Sequence, residues 1–213
     1  MSYAVLEEGA VLLRGYACPF EQTLLSDVAA VLSEAPLRQL ITPGGQRMSV
    51  AMSSCGPLGW YSDRAGYRYT DRDPASGQPW PALPESIRKL AEGAAGRAGF
   101  PGFVPDACLI NRYLPGDRLS LHQDRDERDF SAPIVSVSLG LDAVFQLGGL
   151  QRRDPSTRHV LSHGDVLVFG GPSRLRFHGI LPIKEAPLFA VAAAAEHPLL
   201  RGCRINLTLR RAG

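Results

Sequence analysis

Cysteine is scarce in this chain of 213 residues: there are four, at positions 18, 55, 108 and 203, and no two form a CxxC pair. That spacing argues against a zinc ribbon or a disulfide framework and leaves reduced thiols as the expectation. Long apolar runs are also lacking. The most apolar late stretch, residues 186–195, is too short for a bilayer span and contains Pro187, so no membrane partner is expected. The first residues carry no basic segment and turn acidic at Glu7 and Glu8, which reads against a signal peptide and for a cytoplasmic protein. Charge of one sign is not in large excess: 23 Lys and Arg face 21 Asp and Glu, for a net charge of +2 and a pI of about 8.4. A mild excess of this kind permits a nucleic-acid partner without marking the chain as a dedicated binder. Internal repeats, low-complexity tracts and linkers are missing, so the chain reads as one domain, expected to be monomeric.

What is present is turn chemistry and a real apolar fraction. With 22 Gly, 17 Pro and 45% hydrophobic residues, short strands should outnumber long helices around an ordinary core. Two helices are predicted. Residues 21–35 place Leu24, Val28, Val31, Leu32 and Ala35 on one face before Pro36 stops them, and residues 84–98 do the same with Ile87, Leu90, Ala91, Ala94 and Ala98. Between them, residues 42–81 are turn-rich and carry aromatics and arginines, a composition typical of binding loops. After Gly99 the helical period gives way to short runs at 107–114, 119–124, 134–139, 144–147, 158–161, 166–169, 175–180 and 205–209. Such regular short strands predict a sandwich or jelly roll.

Two segments carry chemistry. In a strand, His122 and Asp124 of Leu121-His122-Gln123-Asp124 share a face, so an imidazole and a carboxylate converge. His178, 54 residues beyond Asp124, alternates against Leu175 and Phe177 and offers a third ligand. Two histidines and a carboxylate with open positions suit an O2-activating non-haem iron, although zinc hydrolases use similar ligands. An HxD tripeptide alone is weak, and His163-Gly164-Asp165 is a rival. Its central glycine before an apolar run reads as a tight turn with Asp165 as acceptor. The second segment, residues 204–210, puts Arg204, Asn206, Thr208 and Arg210 on one face and Ile205, Leu207 and Leu209 on the other. Arginines turned into a barrel need anions, and a planar guanidinium grips a carboxylate through two bonds; on an exposed edge the same residues would simply be solvated. Asn111 and Tyr113 alternate with Ile110 and Arg112 and can donate to a small acid.

Taken together, residues 105–113, 119–127, 132–140, 163–165, 174–179 and 204–210 closely resemble the AlkB family, as do residues 42–45, 48–52, 59–60 and 66–67. The resemblance implies a mainly β chain with flanking helices (α+β). Its core would be a double-stranded β-helix (jelly roll) over residues 105–213. An N-terminal extension over 1–104 would carry nucleotide-recognition loops at about 42–81. It implies an Fe(II)- and 2-oxoglutarate-dependent dioxygenase that uses O2 to demethylate N-alkylated bases such as 1-methyladenine and 3-methylcytosine. The partner would be alkylated DNA, possibly RNA, and the products formaldehyde, succinate and CO2. Carried over residue by residue, His122, Asp124 and His178 would hold iron, and Asn111, Arg112, Tyr113, Arg204, Asn206 and Arg210 would form the 2-oxoglutarate pocket. Trp60 would stack on an extruded base opposite His122, Tyr67, Arg68 and Tyr69 would contact the nucleotide, Asp126 would face the base, and Arg152 would touch the substrate. An extruded base needs such a stacking partner, and a carboxylate favours the positively charged lesions. Two departures stand out: the stretch at 188–200 is unusual, and Gln46 and Arg47 occupy a variable loop expected to meet the phosphate backbone. The alternatives are the same iron chemistry on RNA, protein or a small molecule, and a non-catalytic nucleic-acid-binding jelly roll.

Overall fold

Strict alternation along the strand Arg204–Arg210 decides the layering, because all seven of its residues are buried and its two faces differ in kind. In the computed structural model, which describes residues 2–185 and 197–213, this strand lies inside an eight-stranded sheet. In spatial order the sheet comprises β1 (Tyr3–Glu7), β2 (Ala10–Leu13), β12 (Val166–Phe169), β9 (Ile134–Gly140), β14 (Arg204–Arg210), β7 (Ala107–Tyr113), β4 (Arg47–Cys55) and β3 (Arg38–Ile41). Every neighbouring pair in it is antiparallel. A smaller sheet comprises β11 (Thr157–Leu161), β10 (Ala143–Leu147), β13 (His178–Ile180) and β8 (Leu119–His122). A separate hairpin is formed by β5 (Gly59–Asp63) and β6 (Gly66–Thr70).

The large sheet separates two apolar cores. On one side Val135, Val137, Ile205, Leu207 and Leu209 meet Leu24, Val28 and Val31 of α1 (Glu21–Glu34) and Ile87, Leu90 and Ala94 of α2 (Glu85–Arg97). On the other, Leu12, Leu167 and Phe169 meet Phe145, Leu147 and Ile180 of the small sheet. Two sheets face to face with helices on one outer side form the expected jelly roll. Its interior is apolar at one end and lined at the other by the polar face of β14.

Several expectations need correction. Residues 42–81 are about half strand: between their turns they contain β4 and the β5–β6 hairpin, and β4 extends the large sheet. The extension is not mainly helical, since β1 and β2 close the opposite edge against β12. The predicted strand at 119–124 ends at His122, and only His178–Ile180 of the predicted strand at 175–180 is extended in the sheet. There the backbone at Gly171–Ser173 forms a 3-10 turn and the Phe177 amide bonds to Gly149 before pairing resumes. Of the stretch at 188–200, residues 188–196 lie outside the described residues, and Pro198–Leu200 form a 3-10 turn. The four cysteines are free thiols. Among the described residues no helix is long and apolar enough to cross a membrane.

Candidate active site

Pairing of β8 with β13 sets His122 directly opposite His178, with ring centroids 4.4 Å apart. Asp124 follows the end of β8, and its oxygens lie 3.4 Å from His122 Nε2 and 3.7 Å from His178 Nε2. One ligand atom from each residue falls within 4.8 Å of the others. The other ring nitrogens face backbone: His122 Nδ1 lies 2.9 Å from the Ser120 carbonyl, and His178 Nδ1 lies 3.0 Å from that of Arg176. Each carbonyl demands a proton on Nδ1 and so leaves Nε2 unprotonated and aimed at the common centre. Phe169 meets the His178 ring edge-on, which further fixes its plane.

Burial and charge prepare these groups for a cation. Burial lowers the His178 pKa to about 4, with the neighbouring His122 acting in the same direction, so His178 is neutral at pH 7. Burial opposes charge on His122 too, but the Asp124 carboxylate and the Ser120 carbonyl outweigh it and raise its pKa. For Asp124 burial acts upward, yet Arg210 and the two imidazoles hold it well below the usual carboxylate range. Arg210 grips Asp124 Oδ2 through Nη2 at 2.8 Å and Nε at 3.2 Å. The same guanidinium lies 3.2 Å from Glu127. Glu127 also accepts from Arg174 at 3.1 Å and from the Tyr69 hydroxyl at 2.8 Å, and Arg174 donates to the Asp124 carbonyl at 2.9 Å. Neither Glu127 nor Arg174 stands out in the sequence as a site residue. Glu127 sits in a run of charges that reads as solvated, and it is buried only because two arginines meet it.

A second cluster lies on the barrel side of β14 and β7. Arg204 is 1% exposed; its Nη2 donates to Ser138 Oγ at 3.0 Å, and its Nε and Nη1 have no partner. Its guanidinium lies over the Tyr113 ring at 5.1 Å. Asn206 donates to Ser136 and to the Val137 carbonyl, while buried Asn111 Oδ1 is also unpartnered. A buried cation with unused donors is costly unless an anion completes it. Arg204, Asn206, Asn111 and Tyr113 therefore fit a small dicarboxylate reaching toward the His-Asp-His centre. Arg112 does not join them: alternation along β7 puts it on the face of Cys108 and Ile110, toward Cys203, whose thiol pKa burial raises and Arg112 only partly offsets.

The hairpin walls the opening. Its register places Trp60, Tyr67 and Tyr69 on one face and Tyr61, Asp63 and Arg68 on the other. Trp60 stacks on Tyr67 with centroids 5.6 Å apart, and its Nε1 donates to Asp126 at 2.7 Å. Arg68 is forked on Asp63 at 2.7 and 2.8 Å and lies over Tyr61, so it is not directed at the Trp60 face. Tyr67, Tyr69, Asp126 and Arg128 line an open cleft. Arg152 donates to the Leu121 carbonyl beside the metal ligands. The rival tripeptide is structural, as its turn reading requires: Asp165 accepts from Ser162, Gly15 and Arg14.

Sequence comparison accounts for this geometry. Residues 9–210 match the family model described as the 2OG-Fe(II) oxygenase superfamily. The chain is 55% identical over 208 residues, 98% of its length and 92% of the relative's, to the alpha-ketoglutarate-dependent dioxygenase AlkB of Escherichia coli. The chain belongs to the AlkB family of 2OG-Fe(II) oxygenases. The AlkB homologue of Caulobacter vibrioides is 44% identical over 90% of this chain and 82% of that one. The solved structure of OsALKBH1 superposes with a TM-score of 0.82 at 30% identity, covering 99% of this chain and all of the other. As an AlkB-family enzyme it is a dioxygenase that uses Fe(II), 2-oxoglutarate (alpha-ketoglutarate) and O2. The donor set described above fits that metal and that acid.

Proposed function

We propose that this enzyme oxidatively removes N-methyl groups from positively charged bases, 1-methyladenine and 3-methylcytosine, in DNA, and that alkylation repair in the cytoplasm is its role. The observation that carries the reading is the juxtaposition of an aromatic pair, Trp60 and Tyr67, with a carboxylate, Asp126, two residues along the chain from Asp124 of the His122–Asp124–His178 centre. Two plant proteins 31% identical to this chain are named DNA N(6)-methyladenine demethylases, which supports demethylation of a DNA base; the choice of a cationic base rests on Asp126.

When bound, iron and 2-oxoglutarate supply the O2-dependent oxidation, which converts the methyl group to formaldehyde and the co-substrate to succinate and CO2. The chain supplies position and charge. His122, Asp124 and His178 hold the metal, with their orientation fixed by backbone carbonyls and by Arg210. Arg204 takes the far carboxylate of the co-substrate, helped by Tyr113 and Asn206. Trp60 stacks on the extruded base, a contact worth roughly 1–3 kcal/mol. Asp126 favours a cationic base over a neutral one, and Arg152, tied to the Leu121 carbonyl of β8, contacts the substrate. Tyr67 and Tyr69 contact the nucleotide, Arg68 holds the hairpin that presents them, and the enzyme works as a monomer. The test is release of succinate and formaldehyde from oligonucleotides carrying either lesion. Both products should appear with iron-loaded wild-type enzyme; an iron-loaded enzyme inactive on both lesions would overturn the proposal.

A further inference from the structure

We infer that Trp60 selects among methylated bases through its indole N–H, which holds the Asp126 carboxylate in place, as well as through its ring face. The inference rests on the base-demethylating function proposed above.

Three carboxylates follow one another after β8, and they differ in how their charge is met. Asp124 is compensated by Arg210, and Glu127 by Arg174 and Arg210. Asp126 is exposed and has no ion pair among the described residues; its hydrogen bond there is the one from Trp60 Nε1. Two arginines line the same cleft: Arg68 is engaged bidentately by Asp63 across the hairpin, and Arg128 makes no ion pair with Asp126. Asp126 therefore presents a carboxylate with no ion-pair partner to the cleft.

An exposed carboxylate outside any strand samples several rotamers, and its pull on a cation is spread accordingly. The Trp60 N–H removes that freedom. It is a donor only, and a bond to an ionised acceptor is stronger than a neutral one. It occupies Oδ2 and leaves Oδ1 free to face a ligand. Trp60 is itself fixed: its backbone pairs with Tyr69, its ring stacks on Tyr67, and part of it packs on the inner core. One side chain thus supplies a stacking surface and positions the charge beside it. In this arrangement Trp60 is a positioning residue for Asp126, and the gain falls on cationic bases.

The test compares kcat/KM on single-stranded oligonucleotides bearing 1-methyladenine, a cation, or 3-methylthymine, which is neutral, using enzyme loaded with Fe(II) and 2-oxoglutarate. The cation-to-neutral ratio is independent of how much of a variant folds. Trp60→Phe keeps an aromatic face and removes the donor, and Trp60→naphthylalanine keeps the two-ring area as well. Both should lower the ratio roughly tenfold, the scale of a hydrogen bond to a charged group. In an Asp126→Ala background, Trp60→Phe should lower the ratio no further, because the two residues act as one unit. An unchanged ratio in both donor-free variants, or an equal fall with and without Asp126, would overturn the inference and leave stacking as the whole role of Trp60. Wild-type enzyme inactive on every methylated oligonucleotide would instead remove the proposed function, and the inference with it.

Discussion

His122 and His178 are neighbours whose protons are held in opposite ways, and this gives the metal-free protein a distinctive pH response. Folded His178 binds its proton less readily than the unfolded residue, with a pKa near 4 against 6.5. Between those values the unfolded state carries the extra proton, so stability falls as pH is lowered from about 6.5 toward 4, by up to about 3 kcal/mol. His122, raised by Asp124, acts in the other direction and in another window: its contribution is full below 6.5 and is lost as pH rises through its folded value. Denaturant unfolding of chelator-treated protein should show the acid limb above the carboxylate range, and His178→Gln should flatten it. A variant that keeps the slope would assign it to another group. At this scale the sequence was unevenly legible. Arg204 and Arg210 declared themselves through alternation against three apolar residues. Glu127 gave no sign, because burial of a charge depends on partners, here Arg174 and Tyr69, that lie 47 and 58 residues away.

Among the elements, the short strand β13 has the least freedom. Gly179 sits between His178 and Ile180, where a Cβ would lie 2.6 Å from the Leu119 carbonyl oxygen and 3.1 Å from the Leu121 amide nitrogen. Both are backbone atoms of β8, so neither can rotate away. Gly179→Ala should therefore push β13 off β8 and part the two histidines. Metal affinity should drop by about tenfold or more, the range seen when ligand-orienting contacts are lost, and a Co(II) or Fe(II) titration would measure it. An unchanged affinity would mean that the strands yield without moving the ligands. Helices with one apolar face, and strands with an apolar run or strict alternation, were readable: α1 and α2 lie within one residue of their predicted bounds, and β7, β9, β12 and β14 follow their runs. β4 was not, because its buried stretch, residues 50–55, mixes Val50, Ala51 and Met52 with Ser53, Ser54 and Cys55 and shows neither alternation nor a continuous apolar run. The hairpin β5–β6 was hidden by aromatics and arginines that resemble a loop in composition yet pair residue for residue.

Seen as a whole, the molecule does not divide at residue 104. β1 and β2 complete one side of the large sheet and β4 and β3 the other, and all four belong to the first half of the chain. A fragment of residues 105–213 would bare the edges of β12 and β7 and the apolar face beneath the helices. It should show no cooperative thermal transition, by calorimetry or circular dichroism, where the full chain shows one; a cooperative transition would establish the second half as an independent unit. The same interleaving bears on how the chain is made. The ribosome delivers Ala10–Leu13 early, but the strand this segment pairs with, Val166–Phe169, emerges roughly 150 residues later. At about 5–20 residues per second that is a wait on the order of ten seconds. Throughout it, these four apolar residues can pair only with Tyr3–Glu7, and the edge that will receive Val166–Phe169 stays open. The nascent chain thus stays exposed to misassociation until well after His122 and Asp124 have been translated, and the strand Arg204–Arg210 then closes the sheet and brings Arg204 and Arg210 to the active site in a single event.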